Sequence, residues 1–157
     1  MQIGHLAVTT ATPHETGRQL LEQMYTARFG QPLPQILTGA RGKPYFADHS
    51  VHFSITHTKG HAFCVFSDRP VGIDAEEIDR NIPLKLADKI LSASEKARFA
   101  DTEDKHAALL RLWVLKEAAG KCSGQGVNTN PTYTDFSPDD PRIQILHGCY
   151  VAVITEE

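Results

Sequence analysis

Trp113, Lys116, Glu117, Gly120 and Lys121 stand at i, i+3, i+4, i+7 and i+8, a spacing that gathers them on one stripe of a helix. The surrounding run from Ala107 to Ala119 is apolar around most of its circumference, the pattern of a buried helix. Such a helix does not carry these charges without partners, because a desolvated ion is costly unless opposite charge meets it. Upstream, Val71-Gly72-Ile73-Asp74-Ala75-Glu76 alternates apolar with acidic, so as a strand it sends Asp74 and Glu76 out of one face, as company for Glu117. Three carboxylates within roughly 5 Å of a common point repel by about 3 kcal/mol per pair at an effective dielectric near 20, and a cation belongs between them. Carboxylate ligation with no Cys or His at ligand spacing nearby selects a hard cation such as Mg²⁺ over zinc. Mg²⁺ held by carboxylates bridges to phosphate oxygens, and Lys116 and Lys121 would supply further positive charge to them. The residues point to metal-assisted chemistry on a diphosphate.

Plainer accounts stand beside that one. Asp74 and Glu76 would by themselves be the solvated side of an edge strand. Glu117 and Lys121 would make an i,i+4 ion pair worth a few tenths of a kcal/mol. Ser92-Ala93-Ser94-Glu95 fits a capping box with Glu95 at the third helical position. His57 and His61 flank a turn containing Gly60 rather than sharing a helix face, so a zinc protease arrangement is not expected.

The elements that must position these residues follow from the hydrophobic pattern. A strand runs through Ile3, Leu6 and Val8, and residues 13–29 carry a helical period. Residues 51–57, 62–67 and 71–76 read as three strands joined by turns, an antiparallel meander that would bring His57 near Asp74. Residues 82–91 and 94–99 read as short helices, the charged helix follows, and 143–146 with 150–154 form a closing hairpin. The expected fold is α+β: two fused pseudo-symmetric half-folds, each a strand, a helical segment and antiparallel strands, over residues 1–69 and 70–157.

At 157 residues and 41% hydrophobic content the chain can bury a core of that size. With 16 basic and 19 acidic residues, and a net charge of −3, no global positive field recommends nucleic acid or an anionic membrane as a partner, so any anion site is local. No apolar run approaches the ~20 residues of a membrane span, the first ten residues do not suit a signal peptide, and a cytoplasmic location is expected. Cys64, Cys122 and Cys149 are odd in number and widely spaced, which suits reduced apolar fillers better than disulfides or a zinc knuckle.

The strings Gly42-Lys43-Pro44, Phe53-Ser54-Ile55-Thr56-His57, Val71-Gly72-Ile73-Asp74-Ala75-Glu76 and Trp113-Val114-Leu115-Lys116-Glu117-Ala118-Ala119-Gly120-Lys121 resemble, in that order, the motifs of the surfactin-type 4′-phosphopantetheinyl transferases. One string would be weak; four in sequence are specific. That family moves the phosphopantetheine arm of coenzyme A onto a serine of an acyl or peptidyl carrier protein and releases 3′,5′-ADP. The resemblance implies that Asp74, Glu76 and Glu117 hold Mg²⁺ on the diphosphate and that Lys116 and Lys121 neutralise phosphate oxygens. It further implies that Lys43, Thr56 and His57 contact the nucleotide's phosphates, and that Glu117, or Glu95 through a water, takes the serine proton. The Gly-Ile-Asp string begins at Gly72 rather than near the amino terminus as in the small trimeric branch, which implies a pseudodimeric monomer. The part ahead of the meander is shorter than in the larger type, where basic residues help bind the 3′-phosphate, and Arg18 and Arg41 are the candidates for that task. Two other functions stay open: a catalytically silent module that binds coenzyme A or a carrier protein, and a Mg²⁺-dependent hydrolase of nucleotide diphosphates.

Overall fold

Both long helices are set by their ends. Pro13 occupies the first turn behind Thr12, whose side chain accepts from the Glu15 amide while Glu15 reaches back to the Thr12 amide, and Gly30 at φ 65° closes the last turn. The result is α1 (Pro13–Phe29). Asp104 caps the Ala107 amide and Gly124 at φ 68° ends α4 (Lys105–Ser123). Between them lie a 3₁₀ turn (Leu84–Leu86), α2 (Ala87–Ile90) and α3 (Ala93–Ala100). The structure is a computed structural model and describes residues 1–126 and 134–156.

The strands form two three-stranded antiparallel sheets and a short ribbon. In the first, β5 (His61–Ser67) lies between β1 (Ile3–Ala7) and β4 (His52–His57). In the second, β8 (Cys149–Thr155) lies between β6 (Val71–Glu77) and β7 (Ile143–Leu146). β2 (Ile36–Thr38) and β3 (Pro44–Phe46) pair across a segment that the sequence pattern reads as an irregular connection. The expected meander therefore stops at β5. Both edges of β5 are taken, with Val65 opposite Ile3 on one side and opposite Ser54 on the other, so β6 pairs with β8 instead.

Alternation along each strand then sorts the layers. Ala62, Cys64 and Phe66 turn to Leu20, Leu21 and Tyr25 of α1, while Phe63 and Val65 turn to Ile73, Cys149 and Val151 of the second sheet. The far face of that sheet, with Tyr150, Ala152 and Ile154, carries Leu112, Leu115 and Ala118 of α4. The α+β class is as expected. β6 comes so close to α4 that a Cβ on Gly72 would lie 2.0 Å from the Ala118 carbonyl oxygen and 2.4 Å from the Cys122 amide, so only glycine fits there. Cys64, Cys122 and Cys149 are free and buried, and among the described residues no helix is long and apolar enough to cross a membrane.

The first sheet is tied to the β7–β8 turn by histidines. His5 Nε2 lies 3.0 Å from His61 Nδ1, and the His5 ring stacks on His147 with centroids 3.5 Å apart. Burial first, then the charges of His147 and His61, lower the His5 pKa below its ordinary value. A group whose folded pKa lies below its unfolded one supports the fold while neutral, and that support is lost as pH falls through about 6.5 toward the folded value. The melting temperature is expected to drop between about pH 7.5 and 5.5, and His5→Phe to flatten that drop. A His5→Phe profile parallel to wild type would exclude this cluster as its source.

Candidate active site

Because Val71, Ile73 and Ala75 face the first sheet, Asp74 and Glu76 emerge on the side where α4 presents Glu117 and Lys121. Lys121 Nζ lies 2.7 Å from Asp74 Oδ1, and Thr56 Oγ1, from β4, donates to the same oxygen at 3.1 Å. Asp74 is only 6% exposed, and its second oxygen, Oδ2, has no hydrogen-bond partner. Glu76 Oε1 accepts from Trp113 Nε1 at 3.3 Å and is ion-paired to Arg80. Burial, then the charges of Asp74 and Glu76, push the Glu117 carboxyl up to about 7 against the pull of Lys121 and Arg80. Burial pushes Asp74 upward as well, despite Lys121.

The cationic side chains flank this cluster. Arg41, Lys43 and Lys121 line a cavity of about 220 Å³ together with Ser54 and Gly120. Lys43 Nζ donates to the Cys122 carbonyl at 2.7 Å, tying the β2–β3 segment to the end of α4, and desolvation lowers its pKa. His57, Glu76 and Arg80 line a second cleft of about 580 Å³. The His57 pKa is lowered by burial and then by Lys121 and His14, whose ring stands edge-on at 6.4 Å. Arg18 stays exposed on α1. His14 and Arg80 are additions to the residues expected from sequence. Arg80 follows Glu76 at i+4, but beyond the end of a strand that spacing carries no helical signal.

Lys116 and Glu95 are placed elsewhere. Lys116 is 3% exposed, with Nζ 2.8 Å from Glu95 Oε2 and donating to the Thr134 carbonyl at 2.9 Å. Glu95 is 1% exposed; its Oε2 also accepts from the Ser92 amide and its Oε1 from the Phe136 amide, each at 2.8 Å. Successive helical residues point about 100° apart, and α4 is buried on more than one side, so Lys116 meets α3 while Glu117 meets β6. Lys116 and Glu95 are thus enclosed and ion-paired to each other rather than grouped with the acids of β6. The Thr56 hydroxyl donates to Asp74.

Among the described residues no three His, Cys, Asp or Glu side chains are arranged around one point to hold a metal ion. Lys121 and Arg80 stand against Asp74 and Glu76 instead. The donor set nonetheless fits a hard divalent cation. Three carboxyls interact electrostatically, one has a buried oxygen without a partner, and burial, then their mutual repulsion, raises the pKa of Asp74 and Glu117, so the site can accept positive charge.

Residues 70–149, which span β6, α4 and the start of β8, match the family model of the 4′-phosphopantetheinyl transferase superfamily. The chain is 34% identical over 116 residues to 4′-phosphopantetheinyl transferase psf-1 of Bacillus pumilus, covering 71% of this chain and 48% of that protein. It is 34% identical over 92 residues to 4′-phosphopantetheinyl transferase gsp of Aneurinibacillus migulanus, covering 55% and 36%. With 4′-phosphopantetheinyl transferase AcpT of Salmonella typhimurium it shares 34% over 113 residues, 69% of this chain and 56% of the other. The chain spans about half the length, or less, of the curated relatives it matches first.

Proposed function

The chain belongs to the 4′-phosphopantetheinyl transferase superfamily, and on that premise we propose that it transfers the phosphopantetheine arm of coenzyme A to a serine of an acyl or peptidyl carrier protein, releasing 3′,5′-ADP. The observation that carries this reading is the meeting of Asp74, with its unpartnered buried oxygen, and Glu117 and Lys121 at the β6–α4 contact, inside the matched segment.

Asp74, Glu76 and Glu117 are the residues that would hold Mg²⁺, which when bound neutralises charge on the diphosphate. Lys121 lies at the border of the 220 Å³ cavity, and its ammonium exchanges Asp74 for phosphate oxygens of the substrate. Arg41 and Lys43 at the same cavity, with His57 across the cluster, bind the phosphates of the nucleotide end. Glu117, at the β6–α4 contact, accepts the proton of the incoming serine hydroxyl. The serine oxygen bonds to the β-phosphorus, the bond from that phosphorus to the oxygen of 3′,5′-ADP breaks, and the cationic side chains stabilise the departing anion. We read the chain as two pseudo-symmetric half-folds, 1–69 and 70–157, acting as a monomer. A cytoplasmic setting suits its free, buried thiols.

Incubation with coenzyme A, Mg²⁺ and a panel of apo carrier proteins should yield a phosphopantetheine adduct by intact mass. Binding of coenzyme A with no adduct on any carrier would select a silent binding module instead. Lys121→Ala is expected to lower the initial rate of adduct formation at least about tenfold, the scale of one charge-assisted contact made to the transition state. An unchanged rate would remove Lys121 from the chemistry.

A further inference from the structure

We infer that Arg80 is a built-in counter-ion of the acid cluster, holding Glu76 in the metal-free protein and competing with divalent cations for it; this rests on the function proposed above. Two acids of β6 are covered by cations of the chain from different elements: Asp74 Oδ1 by Lys121 of α4, and Glu76 Oε1 by Arg80 of the segment that follows β6. Trp113 Nε1 fixes the same Glu76 oxygen from α4, and the Glu76 side chain is 13% exposed against 48% for Arg80. The carboxylate is therefore the fixed partner and the guanidinium the one that can leave. It has room to do so, because Arg80 lines the cleft of about 580 Å³ together with Pro13, His57 and Lys59.

A cluster of acids at a desolvated contact repels itself until a cation arrives, and a tethered cation relieves that repulsion without filling the coordination needs of every oxygen. Asp74 Oδ2 remains without a partner while Lys121 and Arg80 are both in place, so the internal cations compensate charge but do not complete the site. Mg²⁺ that takes Oε1 of Glu76 displaces a guanidinium. Its apparent affinity is lowered by the strength of that ion pair.

The test is calorimetric titration of Mg²⁺ into the metal-free full chain, without coenzyme A, for wild type, Arg80→Ala, Arg80→Gln and Arg80→Lys, with thermal melts to verify folding. The charge-removing variants are expected to bind Mg²⁺ about two- to fivefold tighter at low ionic strength, the scale of an ion pair with one exposed partner. The difference should shrink at high salt, and Arg80→Lys should stay within about twofold of wild type. Equal or weaker binding by both charge-removing variants overturns the counter-ion role and leaves the transferase reading standing. Absence of Mg²⁺ binding in every protein, wild type included, overturns the counter-ion role together with the metal assignment.

Discussion

Asp74→Asn and Glu117→Gln are each expected to lower carrier modification by about 10²–10³-fold, the loss typical of removing one electrostatic contact to a charged transition state, while the protein stays folded. The two halves of that expectation come from the same geometry. Asp74 is nearly enclosed, its carboxyl is pushed upward by burial, and Lys121 offsets that only in part. Ionised Asp74 is therefore a strain on the empty fold at neutral pH, and asparagine, of the same shape, can still accept from Thr56. Lys121, about one-third exposed, can turn its ammonium to water when the partner charge is gone. Stability near wild type by thermal melting, with initial rates read by intact mass and a raised Mg²⁺ requirement, is the combined signature. Wild-type turnover in either variant would refute the assignment of these carboxylates, and a collapse of the fold in Asp74→Asn would show that its charge is structural.

The part of this site written in local pattern was legible before the fold. The period-2 alternation from Val71 to Glu76 fixes that Asp74 and Glu76 share a face, and Thr12, Pro13 and Gly30 mark the ends of α1 with its helical period between them. Long-range pairing was not legible. Whether β6 continues the β4–β5 sheet depends on β1 taking the free edge of β5, a contact between residues about sixty apart that leaves no mark in the turn at Asp68-Arg69-Pro70. The β2–β3 ribbon is three residues a side, too short for periodicity to register. The separation of Lys116 from Glu117 was hidden for a different reason. An i+3/i+4 stripe is wide enough to hold both, and only packing of α4 against α3 on one side and β6 on another divides them.

That division carries its own consequence: Glu95→Ala or Lys116→Ala should destabilise the protein by about 3–5 kcal/mol, the cost of stranding one member of a buried ion pair. The side chains are 0% and 1% exposed, and no solvent is at hand to receive the charge left behind. The pair also anchors other parts of the chain: Glu95 accepts from the Ser92 and Phe136 amides, and Lys116 donates to the Thr134 carbonyl with its ammonium 5.8 Å from the Phe136 ring. Replacing both partners, as in Glu95→Leu with Lys116→Met, should recover part of the loss by removing both charges, though the amide partners of Glu95 stay unmet. A double-mutant cycle in urea measures that coupling. Glu95→Gln separates structure from chemistry, since an amide can still accept from the Phe136 amide but cannot act as a base. Assayed well below its melting temperature it should transfer phosphopantetheine at close to the wild-type rate. Loss of transfer in a folded Glu95→Gln protein would instead return this buried carboxylate to the reaction.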